Sequence, residues 1–400
     1  MGQDLNNFFE KFLKKQNMFK DKKVLQSAHL PNEILHRDDQ INQIAQILAP
    51  ALRLERPSNV FIYGKTGTGK TLSIKHTSQQ LLDVAKTRNI PLKIVYVNCK
   101  LKKIADTEYR LIAELARFFG KAIPPTGLPT DEVYNIFFRE LDREKKVVIL
   151  VLDEIDQLVK KAGDQIIYNL TRINSDLKQA ELCLVGISND LAFANNLDPR
   201  VKSSLSEEEL VFPPYNALQI QDILQGRAIQ AFSDGVLEQG VIQKCAAYAA
   251  REHGDIRRAL ELLRVAGELA ERKGLSAITL AELDEAQEKI EKDRFVDVVF
   301  TQPKQFQAVL YSIIMMEKDS AFFTGDVYDI YKKICQKANL RPLTQRRVSD
   351  VIAELDMLGI INARVISKGR YGRTREIGLS LPTEIEPKIK QILEESLLLT

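Results

Sequence analysis

The chain has no run of about 20 apolar residues, the length a helix needs to cross a bilayer, so no membrane-spanning segment is expected. Its start, Met1-Gly2-Gln3-Asp4, lacks the apolar core of a secretory signal, and Asn6 stands where N-myristoylation needs Ser or Thr. Cysteine is scarce. Cys99, Cys183, Cys245 and Cys335 lie far apart and form no Cys-x-x-Cys pair, which argues against a zinc site or a disulfide framework and for reduced thiols in the cytosol. Neither sign of charge dominates, and a net charge of +3 excludes no class of partner; only its distribution along the chain is informative. What is present is ordinary for a soluble globular protein, and 400 residues are enough for two or three domains.

Residues 1–28 read as a basic, loosely held arm. Six lysines between Lys11 and Lys23 could touch phosphates or simply be solvated. From Asp38, the spacing of Ile41, Ile44, Ala45, Leu48 and Leu52 predicts an amphipathic helix. Short apolar strands are then expected at 60–63, 93–98, 147–152, 182–187 and 209–212, separated by helical patterns. Uninterrupted Val/Ile/Leu strands of this kind imply a parallel sheet covered on both faces, an α/β base spanning 29–214. Pro213-Pro214 ends the alternation, and 215–297 reads as an all-helical domain. From 298 to 400 come three helical stretches (306–317, 324–337, 344–358). Two strand-like runs around a Gly/Arg turn follow, the pattern of a winged helix.

Gly64-Lys65-Thr66-Gly67-Thr68-Gly69-Lys70-Thr71 satisfies the phosphate-loop pattern and stands between an apolar strand and a helix. Such glycines let backbone N–H groups curl around phosphates, with the helix N-terminus pointing at them. Lys70 is expected to reach the β- and γ-phosphates of ATP and the Thr71 hydroxyl to bind Mg²⁺. The run Val147 to Leu152 ends in Asp153-Glu154. Asp153 is suited to the Mg²⁺ shell and Glu154 to orienting or deprotonating an attacking water, although two carboxylates at a strand end could merely cap the next helix.

Adjacent Asp and Glu point to the AAA+ branch of phosphate-loop ATPases, and further segments resemble that group. Leu184-Val185-Gly186-Ile187-Ser188-Asn189 looks like its sensor-1 strand, with Asn189 near the γ-phosphate. Gly254-Asp255-Ile256-Arg257-Arg258-Ala259 looks like its sensor-2 helix, with Arg257 over the phosphates; without the family, Arg257 and Arg258 could be surface charges. Leu30-Pro31 with His36-Arg37-Asp38 resembles the adenine-side segment of archaeal DNA replication initiators of the origin-recognition/cell-division-control family. Asp198-Pro199-Arg200 resembles that family's arginine-finger box, and Tyr215 through Arg227 its lid. The resemblance covers about 30–381. It implies that Pro31, Arg37, Tyr215, Arg227 and Arg257 join the phosphate loop in holding ATP or ADP. It also implies that Arg200 serves a neighbouring subunit's nucleotide; in a monomer Arg200 could instead form a salt bridge or meet DNA phosphate.

Thr344 can cap a helix opening on Gln345-Arg346-Arg347, whose buried side would be Val348, Ile352, Leu355 and Leu358. N-terminal residues of such a helix meet base edges in a major groove, where Arg suits guanine and Gln suits adenine. The turn that follows carries Lys368, Arg370, Tyr371, Arg373 and Arg375, and no acid appears from Asn362 to Arg375. That patch suits duplex phosphates and a minor groove, or else a solvated loop on a protein-binding module. The family resemblance adds a second DNA contact, a helical insertion at 109–129, whose apolar positions could simply be core. Together these expectations describe a Mg²⁺-dependent, slow ATPase that binds double-stranded origin repeats and helps recruit the replicative helicase. It would act in the cytoplasm on the nucleoid, with other initiator paralogues as partners. A nucleotide-gated DNA-binding switch and a different AAA+ motor are the alternatives.

Overall fold

The computed structural model describes residues 17–27, 29–31, 33–100, 106–124, 126–252, 254–316, 322–367, 373–381 and 385–399, with the backbone alone for 194, 195, 367 and 373. The chain divides into two compact units between Leu283 and Asp284.

The first unit is built on a parallel sheet with strand order β2-β3-β4-β1-β5. The strands are β1 (Val60–Tyr63), β2 (Leu92–Asn98), β3 (Lys146–Asp153), β4 (Ala180–Ser188) and β5 (Glu208–Val211). They start or end within a residue or two of the stretches expected from the sequence, the usual uncertainty at element ends. Every residue of β3 is buried, because side chains alternate between two cores. Val148, Leu150 and Leu152 pack with α3 (Glu108–Phe118), α4 (Thr130–Leu141), α5 (Ile155–Ala162) and α6 (Gln165–Arg172). Val147, Ile149 and Val151 face α1 (Asp38–Leu48) and α2 (Lys70–Thr87) through Ile44, Leu48, Ile74 and Leu81. By the same alternation Asp153, the last residue of β3, falls on the α2 side. Because β4 lies between β1 and β3, with Ser188 paired to Tyr63 and Ile187 to Asp153, three strand ends converge at one carboxyl edge. Ligands of open α/β sheets gather at such an edge.

After α7 (Pro199–Leu205) and β5, the lid follows as α8 (Ala217–Ala231), α9 (Val241–Arg251) and α10 (Ile256–Lys273). Asn216 and Gln219 form a reciprocal capping box on α8, and Asp255 caps α10. Part of the N-terminal arm departs from expectation. Met18, Phe19, Val24 and Leu25 are buried rather than loose. The Phe19 ring meets Phe232 at 4.8 Å, Lys20 N–H donates to Ala231 O, and Lys20 and Lys22 pair with Asp234 and Glu271. Two of the six lysines are thus tied to the lid; residues 1–16 lie outside the described residues. The arm's few apolar residues are spaced too irregularly to give the periodic signal from which their burial could be expected.

The boundary between the units falls within the first turn of α11 (Leu280–Thr301), and the second unit follows. There α12 (Lys304–Ile314), α13 (Thr324–Lys337) and α14 (Gln345–Met357) pack with an antiparallel sheet of order β6-β8-β7: β6 (Phe322–Phe323), β7 (Ile361–Ser367) and β8 (Arg373–Leu379). A further helix, α15 (Glu386–Leu397), closes this core with Ile389, Leu393 and Leu397 at a four-residue spacing. The sequence reading contained neither β6, too short for a pattern, nor α15.

The arm's seat depends on Gly267 in α10, where an added Cβ would lie 2.5 Å from Phe19 Cζ and 2.9 Å from Phe232 Cε1. Gly267→Ala gains about 1 kcal/mol of helix propensity but forces two buried rings apart, at about 1–3 kcal/mol. The variant is expected to melt no higher than the parent and to exchange its Lys20 amide faster. A stabilised variant with unchanged exchange would show that the rings yield freely.

Candidate nucleotide site and nucleic-acid face

The phosphate loop leaves β1 and turns directly into α2. Gly67 and Gly69 have φ of +72° and +92°, the left-handed region that a side chain rarely tolerates. At Gly67 the space is also closed: a Cβ would sit 1.8 Å from Asp255 Oδ1, because the N-terminus of α10 rests on the loop and Ile256 N–H reaches Gly67 O at 3.5 Å. Lys70 is only 4% exposed. Its Nζ donates to Gly64 O (2.6 Å) and Lys65 O (2.7 Å), so the loop wraps its own ammonium. Burial pushes that ammonium down to about 8, partly opposed by the nearby Asp153 carboxylate. Thr68 is buried with its hydroxyl on Lys65 O, while Thr66 is exposed.

Asp153 sits in a ring of donors. Thr71 Oγ1 donates to Oδ2 at 2.8 Å, the Tyr96 phenol donates to the same oxygen, and Glu154 N–H donates to Oδ1 at 3.0 Å. A hydroxyl and a carboxylate side by side at the end of the phosphate loop are hard oxygen donors, the set that Mg²⁺ selects, so the residues fit that ion. Glu154 is a non-glycine residue at φ +55°, ψ +46°, a conformation costing about 1–3 kcal/mol that concentrates at functional sites. Its carboxylate lies 3.9 Å from Lys100 Nζ. Asn189 comes immediately after β4, beyond the residue paired with Tyr63, and Ser188 Oγ before it is anchored on Asp156 Oδ1 at 3.1 Å.

The other expected nucleotide contacts divide. Arg37, 2% exposed, donates to Thr68 O (2.8 Å), Pro213 O (2.6 Å) and His36 O (3.0 Å), and stacks over Tyr215 at 3.7 Å. It thereby braces the phosphate loop against the entry to the lid. Arg227 donates to Val24 O, and so serves the arm. Pro31 is half-buried ahead of this cluster. Arg257, 51% exposed, is paired with Asp255 at 3.3 Å. Arg200, 71% exposed, is paired with Asp198 at 3.1 Å. That pairing is the salt bridge expected as the alternative to a role toward another subunit. Sequence reading missed Asp255 and Tyr96. Asp255 was legible as a helix cap. Tyr96 shows itself only once β2 is laid beside β3.

On the second unit, Thr344 caps α14 as expected, accepting from Arg347 N–H, and Gln345, Arg346 and Arg347 are exposed. Val348, Ile352 and Leu355 are buried as predicted, whereas Leu358 is largely exposed. Arg375 on β8 donates to both the carbonyl and the hydroxyl of Ser349, fixing the wing strand to α14. Thr324, Gly325, Gln345, Arg346, Val365 and Arg375 line a groove of about 440 Å³ between them. Lys368, Arg370 and Tyr371 lie outside the described residues, as does the Arg373 side chain. In the expected insertion, Leu111, Ile112 and Leu115 are core, and 120–122 are exposed.

Arg37 provides a test of the brace. Arg37→Lys keeps the charge but cannot serve separated carbonyls at once, and each buried carbonyl left unpaired costs about 1–3 kcal/mol. The melting temperature is expected to fall by about 2–6 °C; a change below about 1 °C would mean that the guanidinium is not structural.

Three family descriptions match the chain in series: the AAA domain over residues 53–192, the Cdc6 AAA+ ATPase-type lid domain over 221–288, and the CDC6 C-terminal winged helix domain over 297–386. The ORC1-type DNA replication protein of Pyrococcus furiosus is 52% identical over 395 residues, 97% of this chain and 93% of the relative. That of Thermococcus kodakarensis is 53% identical over 383 residues, 94% and 92% of the two chains. Among solved structures, the Aeropyrum pernix ORC1 protein in complex with DNA superposes with a TM-score of 0.85 at 44% identity, covering 95% of this chain and 98% of that one. With an AAA+ base, lid and winged helix in this order and near-complete relatives above half identity, the chain belongs to the ORC1-type DNA replication proteins, the AAA+ initiators resembled by its sequence.

Proposed function

We propose that this initiator binds double-stranded origin repeats under the control of ATP and helps recruit the replicative helicase, hydrolysing ATP slowly. The observation that carries the reading is the seat of α10 on the phosphate loop, Asp255 against Gly67 with Arg257 held beside it. Phosphates held by the loop would lie beside the Asp255 carboxylate, which rests against Gly67. They repel it and attract Arg257, so the lid registers the nucleotide as a change of electrostatic sign.

In this reading the backbone from Gly64 to Gly69 and the Lys70 ammonium hold the β- and γ-phosphates. Thr71 and Asp153 would hold Mg²⁺, which would neutralise phosphate charge there. Glu154 orients the attacking water and accepts its proton as the water oxygen bonds to the γ-phosphorus, Asn189 and Arg257 hold γ-phosphate oxygens, and the bond from the γ-phosphorus to the bridging oxygen breaks, releasing ADP. Pro31, Arg37 and Tyr215 shape the nucleotide's surroundings, Arg37 through the loop itself, while Arg227 acts only indirectly, by holding the arm through Val24. Arg200 serves the nucleotide of a neighbouring paralogue. Gln345, Arg346 and Arg347 enter the major groove, while Lys368, Arg370, Tyr371, Arg373 and Arg375 meet phosphates and the minor groove. A DNA-binding switch with little turnover is the second reading, favoured by Lys100 competing for the Glu154 carboxylate.

Footprinting on genomic fragments with ATP and with ADP tests the proposal. It is supported by protection of a repeated asymmetric site whose extent changes with nucleotide, and refuted by sequence-blind protection. Arg346→Ala should lower the salt slope of duplex binding by about one if Arg346 meets a phosphate, or relax specificity at about 1–3 kcal/mol if it meets a base. The Lys70 ammonium gives a pH dependence. Its pKa is depressed to about 8 and phosphate binding requires the charged form, so affinity is expected to fall as pH rises through 8. Above that pH, binding should take up a proton, measurable by calorimetry in buffers of different ionisation enthalpy. Affinity flat to well above pH 8 would show that Lys70 stays charged without its ligand.

A further inference from the structure

We propose that Tyr96 is the positioning residue for the Asp153 carboxylate, fixing the oxygen presented beside Thr71 and so setting how strongly Mg²⁺ reinforces nucleotide binding. The inference rests on the nucleotide reading above. It begins with register: β2 pairs with β3 so that Tyr96 lies opposite Val151 and Asn98 opposite Asp153. Tyr96 and Asp153 are therefore diagonal neighbours on one face of the sheet, a separation that an aromatic side chain bridges and a shorter one does not. The phenol closes that diagonal by donating to Asp153 Oδ2, the oxygen that also accepts from Thr71 at 2.8 Å.

The ring itself is held. Lys75 Nζ from α2 stands 4.5 Å over its face. The two donors to Oδ2 differ in what carries them. Thr71 stands at the junction of the phosphate loop and α2 and answers to that loop. Tyr96 is carried by the edge strand β2, on the far side of β3 from the loop strand β1, and does not. Without the phenol, the carboxylate of a strand-terminal Asp is oriented by Thr71 and by the neighbouring Glu154 N–H. Hydrogen-bond partners behind a metal ligand commonly account for 10–100-fold in metal affinity.

The test uses the full chain and a fluorescent ATP analogue, with binding measured first without divalent cation and then during Mg²⁺ titration. Tyr96→Phe keeps the ring and removes only the hydroxyl. The expected result is cation-free affinity within about twofold of the parent and a Mg²⁺ midpoint raised about tenfold. An unchanged midpoint, or an equal loss of affinity with and without Mg²⁺, overturns the assignment. A parent protein that gains nothing from Mg²⁺ overturns the nucleotide reading and this inference with it. A parental gain retained in full by Tyr96→Phe overturns this inference alone.

Discussion

Much of the first unit depends on one buried cation. A guanidinium as enclosed as that of Arg37 is tolerable only if its donors are used, because desolvating a charge costs several kcal/mol that geometry must recover. Arg37 recovers it from main-chain carbonyls of the phosphate loop and of Pro213, and from the face of Tyr215. Three stretches distant in sequence are thereby locked into one wall: the turn before α1, the loop before α2, and the junction between base and lid. A lysine could neutralise the same field, but its single ammonium could not link these groups. The loop's pre-formed shape is therefore a property of the whole unit and not of its glycines alone.

Around that wall, functional groups are placed by the rules of the sheet. Alternation along β3 sends its apolar side chains to two cores and leaves Asp153 facing α2 and Thr71. Strand order sets Asn189 beside both the loop strand and the carboxylate strand. The lid adds an acid and a base from one helix end, already paired with each other.

Legibility in the sequence followed sequence distance. The phosphate loop, the apolar strand ending in Asp153-Glu154 and the cap of α14 are contiguous patterns, and the structure places each where those patterns put it. What could not be read were pairings that exist only after folding. Arg37 meets a carbonyl 176 residues away, and Tyr96 meets Asp153 across 57. Arg227, grouped with the nucleotide by resemblance, is directed to the arm by Val24, a residue with no pattern around it. The helix α15 was missed for another reason: its apolar positions begin just past the wing, where the recognisable module had already ended.

The docked arm bears on how the protein can be shortened. A chain begun at residue 29, where the base opens by composition, would strip Phe19 from Phe232 and Gly267 and leave the Arg227 guanidinium without the Val24 carbonyl. An apolar slot would then face water on the lid, the type of surface that recruits foreign segments or drives self-association. Insolubility of such a truncated protein would reflect this uncovered slot and not a failure of the ATPase fold, and a trimmed version should keep everything from Asn17 onward.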